Sequence, residues 1–308
     1  MRKMSAALVN RIVALIRDTS SSLPPDVLKA LKAAQRKERK GSSAAVVLKT
    51  ILDNCAIAAK RGTPLCQDTG TLTFFVDERL RRKVTPAVIG KAVAIATEKG
   101  FLRKNTIDAV TGRSYDDNCA EGAPVVHYSV SASGSRSSRD SRPAVTLIMK
   151  GGGSENMSRQ YSLPDASLGA GRDLDGVRKC VLDAVQKIQG YGCAPGILGV
   201  SIGGDRATGY EVAKEQLLRP LDEKRLQSTA VDGCRSGKSD NFGQTEIVKL
   251  EKRLLKEANG LGIGPMGLGG KTALLGVKIA ARPRVPASFF VTVAYMCWAC
   301  RRQTATFR

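Results

Sequence analysis

The sequence has few aromatic residues and almost no histidine. Of its 308 residues, 5% are aromatic, and His127 is the only histidine. Cys/His zinc-finger spacing is therefore absent, and side chains on which nucleic-acid bases could stack are scarce. The longest apolar run, residues 287–299, is too short to span a bilayer. Because the first 18 residues also lack the apolar run and cleavage site of a signal peptide, we expect a cytoplasmic protein without a membrane segment.

Acidic residues are few in comparison with basic ones. The chain has 28 Asp plus Glu and 49 Lys plus Arg, a formal net charge of +21. A field of this sign favours acidic ligands, nucleic acid included. The basic residues are spread over the whole chain, however, so we prefer generic surface charge to nucleic-acid binding. The excess would still help to gather dianionic substrates.

The spacing of the apolar residues predicts a mixed α/β (α+β) protein, with one large domain or two lobes over residues 1–308. Three helices are expected in the first 60 residues, followed by interleaved strands and helices without a doubly wound pattern. The later helices are predicted at 85–100, 174–189, 211–218 and 246–258, and the strands at 71–77, 125–130, 145–149, 197–202, 274–280 and 289–296. A Ser/Arg-rich stretch, 131–142, is predicted to be an exposed loop.

The eight cysteines fall into different settings. Without a secretory signal, a disulfide framework is not expected. Cys55 and Cys180 lie on the apolar faces of predicted helices, and we interpret them as core residues. Cys66, Cys193 and Cys297 lie instead in loops of small, polar and charged residues. Their spacing of 127 and then 104 residues excludes a local zinc knuckle or a ferredoxin-type run.

Three cysteines on separate loops could converge on one cluster and leave one iron without a protein ligand. Such an iron acts as a Lewis acid toward a hydroxyl and a carboxylate of a substrate. Spacing alone leaves other possibilities open. Cys297 and Cys300 form a CxxC pattern that suits a redox pair or half of a zinc site, although no second CxxC exists in the sequence. We favour a spare thiol at Cys300.

Four segments carry a more specific resemblance, each weak alone but strong in this order. They are Pro-Leu-Cys-Gln-Asp-Thr-Gly at 64–70, Lys-Gly-Gly-Gly-Ser-Glu-Asn at 150–156, Gly-Ile-Gly-Pro-Met-Gly-Leu-Gly-Gly at 262–270 and Cys-Trp-Ala at 297–299. With them the chain resembles, over nearly its whole length, the iron–sulfur-dependent class I fumarases and the α subunits of two-subunit fumarases and L(+)-tartrate dehydratases. The resemblance implies that Cys66, Cys193 and Cys297 ligate a 4Fe–4S cluster whose fourth iron is left for substrate.

The resemblance also implies roles for two residues next to the first cysteine and for two further positions, Arg103 and Gly152. Gln67 and Asp68 would face the substrate, and Asp68 could orient a bound hydroxyl or pass a proton. Arg103, in the segment Phe-Leu-Arg-Lys-Asn at 101–105, would contact a substrate carboxylate, a task suited to its bidentate fork. Gly152, in the Gly151–Gly153 run, would present a backbone N–H to a carboxylate where a side chain would block approach.

One family feature is missing from the sequence. Many members have a histidine twelve residues before the third cluster cysteine, where this chain has Val285. The role of that imidazole cannot be carried over, and Arg282 and Arg284 are the nearby candidates to compensate. The departure keeps open a different class of function, a non-catalytic iron–sulfur binding protein.

The resemblance implies a hydro-lyase that reversibly hydrates fumarate to malate, with L(+)-tartrate dehydration as the nearest alternative. The Gly-Gly-Gly-Ser-Glu-Asn segment is closer to the fumarases, which sets this order. Single-chain enzymes of the family continue into a second domain that supplies the catalytic base, whereas this sequence ends at Arg308. We therefore expect a β-type partner subunit, in an α2β2-type assembly.

Overall fold

The computed structural model describes residues 6–129, 142–223 and 241–307. The helices are α1 Ala6–Ser21, α2 Pro25–Lys37, α3 Ser43–Arg61, α4 Pro86–Glu98, α5 Gly152–Asn156, α6 Leu174–Ile188, α7 Arg206–Gln216 and α8 Asn241–Gly260. The strands are β1 Thr71–Asp77, β2 Val125–Ser129, β3 Ala144–Lys150, β4 Arg159–Leu163, β5 Gly196–Ile202, β6 Leu274–Ala281, β7 Phe289–Met296 and β8 Arg301–Thr306. The predicted mixed α/β class, with its helical start, is confirmed.

The chain forms two compact units. The first comprises Met1–Leu28, Thr50–Gly152 and Ala299–Arg308, and the second comprises Lys29–Lys49 and Gly153–Trp298. No helix among the described residues is both long and apolar enough to cross a membrane.

The first unit is built on a four-stranded sheet in the order β2-β1-β3-β8. β1 runs parallel to β2 and antiparallel to β3, and β3 is antiparallel to β8. Ile12 and Ile16 of α1 and Ile89 of α4 are fully buried in the same core as Phe74 and Leu147 of the sheet. Because β1 and β3 are antiparallel, the segment that enters β1 and the segment that leaves β3 meet at one end of the sheet.

The second unit has a four-stranded sheet in the order β4-β7-β5-β6. β5 is parallel to β6 and antiparallel to β7, and the register pairs Ile197 with Met296. α6 begins at the cap Asp173, whose carboxylate accepts the Gly176 N–H at 2.7 Å, and buries Val177 and Val181 in the core. The start of β5 and the end of β7 therefore lie side by side.

Several boundaries differ from the sequence predictions. α7 begins five residues before the predicted 211, because the Asp205 carboxylate caps it by accepting from Ala207 N and Thr208 N. Two polar strands, β4 and β8, were not predicted. They form because β4 pairs with β7 and β8 pairs with β3, and their own sequences do not indicate strands. The segment 150–156, for which no helix was predicted, contains the short helix α5. The predicted loop 131–142, apart from Arg142, and Cys234 lie outside the described residues.

Candidate active site

In the first unit, Asp68 is held by hydrogen bonds from three separate segments of the chain. Its Oδ1 accepts from Gly70 N at 2.8 Å and from Asn105 Nδ2 at 3.0 Å, and its Oδ2 accepts from Gly152 N at 2.7 Å. These contacts follow from the sheet, since Thr71 pairs with Lys150 and brings the two flanking loops together. The carboxylate is thus fixed in one orientation, which a group that orients a substrate requires.

Cys66 lies in the same turn as Asp68. Its side chain is partly exposed, and its Sγ accepts the Asp68 N–H at 3.4 Å. The turn is anchored one residue earlier, where Leu65 N donates to Ser20 O at 2.9 Å and Leu65 O accepts from Asn54 Nδ2 at 3.0 Å. The hydrogen bond from Asp68 N to Cys66 Sγ fixes the position of the Cys66 side chain relative to Asp68.

Arg103 lies beside this turn. Its main chain is tied to Thr69, whose Oγ1 accepts from Arg103 N and donates to Arg103 O, both at 2.9 Å. The exposed guanidinium donates from Nη1 to Gln67 O at 3.2 Å. The structure therefore brings Gln67, Asp68 and Arg103 together within one unit, as three neighbouring polar groups that solvent can reach.

The glycines after β3 allow the close approach of Asp68. A methyl group at Gly151 would come within 2.6 Å of Asp68 Oδ2, so a side chain there would push the Asp68 carboxylate out of this position. The next N–H, that of Gly152, donates to the Asp68 carboxylate. The predicted contact between Gly152 and a substrate carboxylate stays a prediction.

Arg301 and Asn105 lie next to these residues, and the sequence reasoning gave neither a role. Arg301 is 2% exposed, and its Nε and Nη1 have no hydrogen-bond partner among the described residues. Its Nη2 lies 3.8 Å from the position of a methyl group at Gly151. Two sequence features could have indicated these residues. Arg301 is the first of two consecutive arginines after the third cysteine loop, and Asn105 is the last residue of Phe-Leu-Arg-Lys-Asn.

In the second unit, Cys193 and Cys297 are held close together. Cys193 precedes β5 and Cys297 follows β7, and Trp298 N donates to Cys193 O at 3.3 Å. Cys297 N donates to Ser154 Oγ at 3.1 Å. Cys193 is exposed and has a φ of 55°, a left-handed conformation that normally favours glycine. A strained backbone at a reactive side chain is typical of functional sites.

Tyr295 lies beneath the loop that carries Cys193. It is 1% exposed, and its hydroxyl has no hydrogen-bond partner among the described residues. Burial, followed by the nearby Cys297 and Cys193 thiolates, raises the pKa of the phenol far above its ordinary value. A buried hydroxyl without a partner among the described residues, under the loop that carries Cys193, suits a sulfur-rich group that accepts hydrogen bonds.

The comparison with known proteins identifies the family. Residues 9–306 match the family model described as fumarate hydratase (Fumerase). The chain belongs to this family. It is 45% identical to a protein of Geobacillus stearothermophilus that is provisionally named a class I fumarate hydratase; the match covers 94% of this chain and 52% of that protein. The chain thus spans about half the length of that relative.

Two further relatives of the family are named α subunits. A protein of Methanocaldococcus jannaschii, provisionally named L(+)-tartrate dehydratase subunit alpha, is 32% identical, with 94% of each chain covered. The L(+)-tartrate dehydratase subunit alpha of Escherichia coli K12 is 28% identical, with 96% of this chain and 90% of that chain covered. These two relatives are similar in extent to this chain.

Of the other four described cysteines of this family member, three are buried. Burial raises the pKa of the Cys55 thiol to about 11 and that of Cys180 to about 12. Both lie in the apolar core, as predicted, and Cys300 is fully buried. Cys119 is partly exposed, and its Sγ donates to Gly90 O at 3.4 Å. Among the described residues, no group of three or more His, Cys, Asp or Glu side chains is placed to hold a metal ion, so the cluster ligand set stays a prediction.

The loop where many family members carry histidine is exposed here. Val285 is 63% exposed, between β6 and β7. The Arg284 guanidinium lies 4.4 Å above the Phe289 ring and donates to the carbonyls of Val285 and Pro286. Arg284 is thus occupied in holding its own loop.

Proposed function

We propose that this chain is one half of a hydro-lyase that reversibly hydrates fumarate to malate. The observation that carries the proposal is the fixed Asp68 carboxylate, which lies in one turn with Cys66 and next to the exposed Arg103 guanidinium. Family membership supplies the reaction class, and the G. stearothermophilus relative supports fumarate as the substrate.

Cys66, Cys193 and Cys297 would hold a 4Fe–4S cluster. Thiols are the donors that such clusters use, and these three are at least partly exposed, whereas Cys55, Cys180 and Cys300 are buried. The Cys66 Sγ already accepts an N–H, and the strained Cys193 lies beside the unsatisfied Tyr295 hydroxyl, so the donor set fits the group. When bound, the cluster supplies a Lewis acid for the substrate hydroxyl.

The chain's own residues would bind and orient the dicarboxylate. Arg103 would pair with one carboxylate through its two terminal nitrogens, and Gln67 would donate from its amide. Asp68 would accept a hydrogen bond from the hydroxyl that is added or lost and hold its proton during the reaction. Since Gly70, Asn105 and Gly152 already fix the carboxylate, Asp68 needs no reorganisation when substrate binds.

A partner of β type would complete the active site. Support comes from the two relatives of similar extent that are named α subunits. We expect the isolated chain to hydrate fumarate very slowly. Asp68 and Arg103 would act on one face of the substrate, and the base on the opposite face would come from the partner. Addition of the partner should give a stable complex, of α2β2 type by native mass spectrometry, and restore turnover measured by fumarate absorbance. Full activity of the homogeneous chain by itself would contradict the two-subunit proposal.

Tartrate is the second candidate substrate, favoured by the names of the M. jannaschii and E. coli relatives. The same complex assayed on fumarate and on L(+)-tartrate decides between them by kcat/KM. A cluster-loaded complex that turns over neither would favour the non-catalytic iron–sulfur protein, a class that the exposed Val285 keeps open.

Arg301 gives a test within the first unit. Arg301→Met replaces a buried guanidinium, whose Nε and Nη1 have no hydrogen-bond partner among the described residues, by an apolar side chain of similar length. This change should raise the free energy of unfolding of the cluster-free chain by about 1–3 kcal/mol. Turnover of the complex should fall about tenfold, because positive charge near Asp68 and the dianionic substrate is lost. Opposite changes in stability and activity would show that Arg301 serves the site. A loss of stability with unchanged turnover would contradict this.

A further inference from the structure

The hydroxyl of Tyr295 is a buried donor that has no hydrogen-bond partner among the described residues. Tyr295 is the second-last residue of β7, and its side chain is among the largest that are fully buried. Leaving a phenol O–H unsatisfied in an apolar core is unfavourable, and a phenylalanine of the same shape would avoid it. No described residue accepts this hydrogen bond, so the acceptor must be a group other than the described residues.

Two glycines make room for this side chain, and both flank Cys193. A methyl group at Gly192 would lie 2.4 Å from Tyr295 Cε1, and one at Gly196 would lie 2.3 Å from its Oη. The loop that presents the Cys193 thiol is thus wrapped closely around the Tyr295 ring. Cys297 lies two residues after Tyr295 in the sequence. The N–H of its neighbour Trp298 donates a hydrogen bond to Cys193 O.

A trapped water molecule is the competing partner. A cavity of about 10 Å³ borders Tyr295, Val185, Ile188, Ile263, Ala273, Leu274 and Gln189. This volume is at the lower limit for one water molecule, which needs two to four polar partners. The side chains that line the cavity are apolar apart from Gln189 and the phenol itself, so they offer a water molecule no more than the minimum of two polar partners, in the smallest volume that can hold it.

We infer that the Tyr295 hydroxyl donates a hydrogen bond to a sulfur atom of the iron–sulfur cluster held by Cys193 and Cys297, either a ligand thiolate or a bridging sulfide. The inference rests on the cluster of the proposed function. A hydrogen bond to sulfur stabilises the more negative, reduced form of a cluster and raises its reduction potential. The hydrogen bond from Tyr295 therefore makes the cluster harder to oxidise.

The test compares Tyr295→Phe with the unaltered chain, both in complex with the partner subunit and reconstituted anaerobically with iron and sulfide. The variant should bind the same amount of iron, but its midpoint potential, followed by electron paramagnetic resonance, should shift to lower values. Its cluster should lose an electron to dioxygen more readily, so that the half-life of the cluster in air becomes several-fold shorter. The cluster-free variant should unfold at the same or a higher temperature than the parent chain.

Tyr161→Phe is the matched control in the same unit. The Tyr161 hydroxyl donates to Asp183 Oδ2 at 2.7 Å, so its removal should lower the melting temperature and leave the potential and the half-life unchanged. If Tyr295→Phe also lowers the melting temperature and leaves both cluster properties unchanged, the hydroxyl bonds to buried water and the inference is wrong. If the unaltered complex binds no iron, the proposed function fails, and the inference fails with it.

Discussion

Cys66→Ser, Cys193→Ser and Cys297→Ser are each expected to abolish the 4Fe–4S cluster. A thiolate binds iron in these clusters, whereas a serine hydroxyl stays protonated at neutral pH and is a harder, weaker ligand. Anaerobic reconstitution of the unaltered chain should give about four irons per chain and a 4Fe–4S spectrum. Each of the three variants should lose that spectrum and, in complex with the partner, all turnover.

Cys119→Ser is the matched control for these variants. Like Cys66, Cys119 is partly exposed, and a serine can keep the hydrogen bond that its Sγ donates to Gly90 O. We expect cluster content to be unchanged in this variant. The same holds for Cys55→Ser, Cys180→Ser and Cys300→Ser, provided that the variants fold with a hydroxyl in the core. Normal cluster content in a variant of Cys66, Cys193 or Cys297 would remove that residue from the ligand set.

Cys193 allows loss of the ligand to be separated from loss of the fold. Its φ of 55° suits glycine better than any other residue. In Cys193→Gly the relief of backbone strain should offset the higher entropy of the unfolded chain, and the cluster-free variant should stay within about 1 kcal/mol of the parent in free energy of unfolding. Cluster loss without loss of stability would assign Cys193 to the metal and not to folding.

Asp68→Asn should keep the cluster and lower turnover by about two to four orders of magnitude. The amide has nearly the same shape as the carboxylate, but it cannot hold a proton in transit, and one oxygen acceptor becomes a donor. The N–H group of either Gly70 or Gly152 would then lose its acceptor, because the two donate to different oxygens of Asp68. Fumarate hydration by the complex measures the effect, with iron content as the check that the cluster is intact.

Arg103→Met should act similarly, because a carboxylate contact made by a guanidinium fork has no substitute in methionine. Lys104→Met is its matched control. It removes the adjacent exposed cation, whose partner is Asp116 at 2.8 Å, and should leave turnover near that of the parent. Should Arg103→Met alter only solubility or stability, Arg103 would be a surface residue without a role in carboxylate binding.

Much of this protein could be predicted from the sequence, because the signals are local. The first three helices follow from apolar residues at helical spacing, and the core positions of Cys55 and Cys180 follow from the same pattern. Four segments in the right order predicted the family, which the comparison confirmed. The motif around Cys66 also pointed to Gln67 and Asp68, and the Phe-Leu-Arg-Lys-Asn segment pointed to Arg103; the first unit brings these three residues together.

Other features were decided by the pairing of distant strands. The register of Thr71 with Lys150 brings the Gly152 N–H to Asp68 across 84 residues, and the register of Ile197 with Met296 brings Cys193 beside Cys297. No local pattern reports such a register, because it depends on which strands become neighbours. For the same reason β4 and β8, which are polar, were not predicted.

The sequence alone thus determined the family, the helical start and the residue types available for chemistry. Only the tertiary structure decided which donors lie without partners, because burial and hydrogen bonding are properties of the folded chain. In the sequence nothing distinguishes Arg301 from the many other basic residues, or Tyr295 from the other apolar positions of its predicted strand. In the folded chain both are buried with polar atoms unpaired, since the sheets that enclose them supply no acceptor among the described residues.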